Sequence, residues 1–348
     1  MPTPGKLNMQ KIAELAGVSI ATVSRVLNGN GAVREETRKR ILDIVQRYHY
    51  KPNSMARGLS LKRTDTLGVI LPELVDEFFM EIIRGIDTEA YRAGQYVMVS
   101  SSHSQRNIME MLLDMMSGGR VDGLILMAPM MGSELLSVVE TSSKPIVLLN
   151  ACRDLQTGVR FNINNYQGAF AVVEHLVQAH GYTSIGMIQG PIGNCDAEER
   201  YRGFQDALKV HGVPLRKELI VQGDFTARSG YYGFMRLMSQ RERPRAIFAA
   251  NDMMAVGLYE AAKNSNVDIP GDVAVVGFDD ITLSRFISPR LTTVHVPMVE
   301  LGSKSVRYLL KMISREVDPH EPYREELPTG VIIGGSCGCT PKVLPGLL

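Results

Sequence analysis

Over the first sixty residues, apolar side chains recur at helical spacing. Ile12, Ala13, Leu15 and Ala16 mark one short helix over 9–16, and Gly17 supplies the permissive turn residue. Ser19 is a good N-cap for a second helix over 20–27, which Asn28 and Gly29 stop. A third helix over 34–48 places Ile41, Ile44 and Val45 on one face, and Pro52 opens a short fourth over 53–59. Beyond Thr64 the pattern changes to apolar runs suited to buried parallel strands, at 67–71, 96–99, 124–127, 146–149, 185–188, 246–250 and 273–278, with a shorter strand at 219–222. Amphipathic stretches at 79–93, 108–116, 167–179, 199–211, 227–239 and 253–264 lie between most of them. Strands alternating with helices predict parallel sheets covered on both faces.

The second part also repeats itself. Leu67-Gly68-Val69-Ile70 leads to Arg84-Gly85-Ile86, then Ala90 and Gly94; Ile185-Gly186-Met187-Ile188 leads to Arg202-Gly203-Phe204, then Ala207 and Gly212. The first glycine and the arginine are 16 residues apart in both copies, and the arginine and the last glycine are ten apart. Two matching units predict two similar lobes, with a cleft between them as the natural place for a small ligand.

Charge separates the two parts. Over residues 1–64 twelve basic residues face four acidic ones, a surplus of eight, so with +1 overall the remainder carries −7. A basic helical end on an acidic body suits phosphate binding by that end. Across all 348 residues the hydrophobic share of 45% and charged share of 22% are those of globular chains, and the length suits two or three compact units. A polar start and the lack of any 18-residue apolar run predict a cytoplasmic protein without membrane insertion. Cys152, Cys195, Cys337 and Cys339 are too few and scattered for a disulfide scaffold and are expected as free thiols. Cys337-Gly338-Cys339 invites a metal reading, but no second pair or nearby histidine accompanies it in the sequence, so neither metal nor cofactor is expected.

Ile12, Ala13, Gly17, Val23 and Val26 form a helix-turn-helix frame. Its second helix turns Ile20, Ala21, Thr22, Ser24 and Arg25 outward. Thr22, Ser24 and Asn28 suit phosphate oxygens, Arg25 a bidentate contact to guanine, and Ile20 and Ala21 thymine methyls. The plainer alternative for Arg25 is a solvated surface residue. In the body, polar and aromatic residues fall at the carboxyl ends of predicted strands, where open parallel sheets bind ligands. Asn150, Asn251, Asp279 and Asp280 follow three of the strands; Arg200 opens a helix, Phe225 follows 219–222, and Phe78 and Phe79 follow 67–71. Each alone reads as a cap or core residue. Together they offer acceptors, a guanidinium fork and ring faces that suit a sugar or another polar ring.

The run from Ile12 to Ser19, then Thr22-Val23-Ser24-Arg25-Val26-Leu27-Asn28, and Tyr50-Lys51-Pro52-Asn53 through Ala56-Arg57-Gly58-Leu59, resembles the head of the lactose/galactose-repressor family. The likeness runs from Met9 to about Ser336. It implies an all-α helix-turn-helix head with a hinge helix, then an α/β two-lobed body like periplasmic binding proteins, made of two doubly wound parallel sheets. The implied divisions are 1–50 for the head, 51–64 for the hinge, 65–164 with 297–326 for one lobe, 165–296 with 327–340 for the other, and 341–348 as a tail. It adds Tyr50, Asn53, Ala56 and Leu59 to the DNA contacts, with Leu59 as the minor-groove wedge that kinks a palindrome at its centre. Arg200, Asn251 and Asp279 match effector-contacting positions and Phe225 the stacking aromatic. Asn150 stands where many members carry Asp, and Gly334 where Arg is common. The implied partners are double-stranded operator DNA, a small sugar-like effector, and a second copy of the chain, as a dimer or tetramer.

Three rival readings fit parts of the chain. Gly334-Gly335-Ser336-Cys337-Gly338 fits the G-x-S-x-G elbow of a serine hydrolase, but ten residues with two prolines follow and the last histidine is His320, so no enzyme is expected. A sugar-binding protein without regulatory role lacks a reason for the basic head. Control by a protein partner or a nucleobase corepressor stays open.

Overall fold

The computed structural model describes residues 8–27, 33–48, 50, 63–72, 76–101, 108–117, 119–130, 132–151 and 158–340. The chain separates into two compact units, residues 1–64 and 65–348. In the first, α1 (Met9–Ala16), α2 (Ile20–Leu27) and α3 (Glu35–Arg47) enclose a small core of Ile12, Ala13, Ala16, Val23, Val26 and Ile41. Gly17 ends α1 in the left-handed region (φ 61°), and the Val18 N–H reaches back to the Ala13 carbonyl, so the chain reverses within two residues. The Ser19 hydroxyl then accepts from the Thr22 N–H at 3.2 Å and starts α2. The short helix expected over 53–59 lies outside the described residues.

In the second unit, β1 (Thr66–Leu71), β2 (Tyr96–Ser101), β3 (Gly123–Met127), β4 (Ile146–Leu149), β5 (Val159–Ile163) and β11 (Tyr323–Leu327) form a parallel sheet ordered β11-β5-β4-β3-β1-β2. A second parallel sheet, β7-β6-β8-β9, contains β6 (Ile185–Gln189), β7 (Ile220–Gln222), β8 (Ala246–Ala249) and β9 (Ala274–Val276). The antiparallel pair β10 (Thr293–His295) and β12 (Gly330–Ile332) lies beside them. The chain leaves the first sheet after β5, builds the second, returns for β11, and leaves again for β12. The helices are α4 (Glu77–Arg92), α5 (Ile108–Ser117), α6 (Ser133–Glu140), α7 (Asn165–His180), α8 (Cys195–Val210), α9 (Ala227–Met238), α10 (Asp252–Asn264) and α11 (Met298–Ile313).

Several elements depart from expectation for identifiable reasons. β2 is an edge strand, not a buried one: Tyr96 is 73% exposed, and Met98 and Val99 are exposed too. β5 has no signature in the apolar pattern, because Arg160 and Asn162 interrupt its run, although both are buried. α7 and α8 begin at 165 and 195 rather than 167 and 199, because Asn164 and Asn194 cap them through the Gln167 and Ala197 N–H groups (3.0 and 3.1 Å). β9 stops short of 278, where Asp279 (φ 118°) and Asp280 (φ 58°) turn the chain out of the strand. Cys195 is disulfide-bonded, against the expectation of four free thiols, since tertiary contacts and not sequence spacing decide which sulfurs meet.

The repeat has a packing cause. A Cβ on Gly203 of α8 would sit 2.3 Å from the Tyr166 carbonyl oxygen of α7, and one on Gly85 of α4 would sit 2.1 Å from the Val299 carbonyl oxygen of α11. Each copy uses its glycine to bring two helix backbones together.

Candidate functional site

On the helical unit, α2 buries Val23 and Val26 and leaves Ile20, Ala21 and Arg25 exposed. Ile20 is 49% exposed, as accessible as Leu15 and Leu42 of the same unit (45% each), and so available for an apolar contact. Thr22 is half-buried, its hydroxyl 2.9 Å from that of Ser19, and Ser24 is half-buried alongside. Tyr50 is half-buried against the head core, its N–H donating to the Val45 carbonyl at 2.9 Å, so part of its ring surface is taken up in packing. Asn28, Asn53, Ala56 and Leu59 lie outside the described residues.

In the body, five of the seven expected effector residues belong to one contact network at the carboxyl ends of the strands. Arg200, on the second turn of α8, is buried (3% exposed). Its Nε donates to Asn165 Oδ1 at 2.8 Å, its Nη1 to the Ala250 carbonyl at 2.6 Å, and its Nη2 lies 3.2 Å from Asp279 Oδ1. The guanidinium carbon sits 3.8 Å from the Phe278 ring centre and 5.6 Å from that of Phe225. Asn251 caps α10 through the Met254 N–H at 2.9 Å and donates to the Phe225 carbonyl at 3.0 Å. Phe225 has φ 69°, and its ring covers Gly190, where a Cβ would lie 2.3 Å from the ring. Asn150, beyond the end of β4, donates to Asp196 Oδ2 at 3.0 Å, joining the first sheet to the second.

Two polar atoms in this network are incompletely used. Asn150 Oδ1 and Asp279 Oδ1 are buried with no hydrogen-bond partner among the described residues; for Asp279 the arginine is close, but not aligned. Buried acceptors of this kind are costly unless something donates to them. Burial pushes the Asp279 carboxyl up to about 7, against the pull of Arg200, with Asp76 and Asp196 adding to the rise. Asp252 is held well above the usual carboxylate range, by burial and then by Asp279. Its oxygens accept from the Thr293 hydroxyl (2.6 Å) and the Ile281 N–H (3.0 Å), which anchors the loop carrying Asp279.

Phe78 and Phe79 stand apart. Phe78 is core, and Phe79 packs edge-on to it with ring centres 5.3 Å apart. They lie on the first turn of α4, whose Glu77 carboxylate accepts from the Thr282 N–H at 2.7 Å. Two participants were missed from the sequence. Asp196 receives both Asn150 and the Asn165 amide (2.8 Å), and Asn165 links Asp196 to Arg200. Asp196 is half-buried, and burial pushes its carboxyl up to about 6. Both sit in first helical turns, where a single sequence offers only capping as their reading.

The family described as bacterial regulatory proteins, lacI family, matches residues 8–53, and a periplasmic binding protein-like domain matches 173–337. Catabolite control protein A of Priestia megaterium is 35% identical over 306 residues, covering 88% of this chain and 92% of that protein. In three dimensions the chain is similar to the lac repressor dimer bound to operator and the anti-inducer ONPF, at 28% identity and TM-score 0.85, over 96% of this chain and 99% of that one. It is also similar to the transcriptional regulator CelR in its cellobiose complex, at 28% identity and TM-score 0.71, over 95% and 99%.

Proposed function

The chain belongs to the LacI family of bacterial regulatory proteins, and from that membership we propose that it is a transcription repressor whose grip on a palindromic operator is set by a small polar effector, of the sugar class. The helical unit reads DNA as one half of a dimer. Arg25 contacts guanine, Ile20 and Ala21 contact thymine methyls, Thr22 and Ser24 hold phosphates, and the segment 51–64 serves as hinge. Residues 65–164 with 297–326, and 165–296 with 327–340, act as the two lobes around the effector. The exposed apolar edge made by Tyr96, Met98 and Val99 of β2, with Tyr91 of α4, suits the second copy of the chain.

The observation that carries the effector reading is the buried acceptor Asn150 Oδ1, which has no donor among the described residues, in the same network as the Arg200–Asp279 ion pair and the Phe225 ring. A ligand with several hydroxyls supplies the donor that Asn150 Oδ1 lacks and can add one to Asp279 beside Arg200, and its ring has an aromatic face to lie on. A ligand shifts DNA affinity only through unequal affinity for the two arrangements of the lobes. We place the protein in the cytoplasm and assign it no catalytic role; among the described residues no helix is long and apolar enough to cross a membrane.

Mobility shifts on a palindromic duplex selected from random sequence test the head. Arg25→Ala is expected to weaken binding by about 1–3 kcal/mol, roughly 5- to 150-fold, and to relax preference at one base pair of each half-site. Uniform weakening with unchanged base preference would assign Arg25 to a phosphate instead. A panel of sugars scored by thermal shift tests the body, since ligand at about a hundred times its dissociation constant adds ~2.7 kcal/mol. A panel member that shifts wild type and Arg200→Ala equally would place the effector elsewhere.

A further inference from the structure

We propose that His175, His180, Cys337 and Cys339 form a tetrahedral site for a structural zinc ion. Nothing in the sequence placed a histidine near the Cys337-Gly338-Cys339 pair. The fold does so from about 160 residues away, because the end of α7 lies against the segment that follows β12. The donor atoms of the four side chains all lie within 4.8 Å of one another. Cys339 Sγ is 3.3 Å from His180 Nε2 and 3.6 Å from His175 Nε2. An ion with Zn–S of about 2.3 Å and Zn–N of about 2.0 Å sets its ligands roughly 3.3–3.8 Å apart, so little side-chain movement separates this cluster from a filled tetrahedron.

The surroundings hold the donors in place. Gly338 has φ 102°, a conformation that L side chains avoid, and this turn aims both flanking sulfurs toward the histidines. A Cβ there would touch the His180 ring and the Tyr182 hydroxyl at 3.4 Å. Tyr182 stacks on His180, with ring centres 5.5 Å apart and planes 19° apart, and its hydroxyl donates to the Cys337 carbonyl at 3.2 Å. The Thr292 hydroxyl donates to Cys337 Sγ at 3.1 Å, the kind of outer contact that orients a metal-bound thiolate. Cys337 is fully buried and the other three donors are half-buried, so one side of the site is closed to water. Two sulfurs and two imidazoles in a tetrahedral set select zinc among the common divalent ions, and four protein ligands leave no open position for chemistry. The ion would tie α7 to residues 337–339, next to Ser336, whose hydroxyl bridges the Val275 carbonyl and the Thr292 N–H.

The test uses the full chain, stripped with chelator under reducing conditions and titrated with zinc chloride, then separately with cobalt chloride. Wild type is expected to take up one zinc per chain, to show the thiolate-to-cobalt charge-transfer bands of a sulfur-ligated tetrahedral ion, and to melt at a lower temperature without metal. Cys339→Ser and His175→Ala, both at half-buried positions, are expected to lose at least about tenfold in affinity, since even outer-contact changes cost that much. Cys339→Ser should also weaken the charge-transfer band. Absence of uptake at micromolar zinc by folded wild type, or uptake and spectra unchanged in both variants, overturns the proposal.

Discussion

Asp196 accepts from two amides, Asn150 at 3.0 Å and Asn165 at 2.8 Å, and so ties together the ends of strands from both sheets. Burial pushes its carboxyl from 3.8 to about 6, with Arg200 and the two amides opposing. Below the lower value the carboxyl is protonated in folded and unfolded chains alike. Between the two values the folded chain keeps a proton that the unfolded chain has released, so stability falls as pH rises through this window, and the loss is complete above it. Asp196→Asn carries no titrating proton. The difference between wild-type and variant melting temperatures should therefore shift against the wild type as pH rises from about 4 to about 6, and parallel curves would remove Asp196 from the titration. The residues at this site were legible in proportion to their sequence context. Asn251 and Asp279 follow strands and Arg200 lies on a helix, all three within recognisable runs, whereas Asp196 and Asn165 acquire their roles only from tertiary contacts, with each other and with Asn150 and Arg200.

At the scale of elements, the helix pairs are set by close backbone approach. Ala at an ordinary exposed helical position is better than Gly by up to about 1 kcal/mol. At Gly203 the sign should reverse, because the new Cβ meets the Tyr166 carbonyl oxygen of the neighbouring helix at 2.3 Å and α8 must move away from α7. Gly203→Ala is expected to cost about 1–3 kcal/mol in urea unfolding. A neutral or stabilising result would mean that the helices part without consequence. The spacing of the two glycines was visible along the chain, but their purpose was not, since a partner helix some 37 residues upstream (Tyr166) or over 210 downstream (Val299) leaves no mark on local pattern. β2 shows the converse: its apolar composition predicts burial, while its place at the sheet edge leaves Tyr96 in solvent.

At the scale of the whole molecule, the charge division assigns the two tasks to separate units. A head carrying +8 binds phosphate by displacing counterions, so operator affinity should fall by roughly 10³- to 10⁵-fold between about 50 and 200 mM salt if a dimer makes 6–10 phosphate contacts. A fragment of residues 65–348 has its own core and should keep the ligand-dependent thermal shift while losing operator retention at any salt. Retention by that fragment would move DNA binding to the body. Local and periodic features of the chain alone determined the helix-turn-helix frame, the alternation of strand and helix, the basic head and the strand-end polar residues, because each depends on neighbours within a turn or a strand. Only the tertiary structure decided that Asp196 joins Asn150 to Arg200 through Asn165, that two glycines seat helix pairs, and that two histidines meet two cysteines. Those contacts join residues tens to hundreds of positions apart, and chain connectivity carries no record of them until the sheets form and bring their ends together.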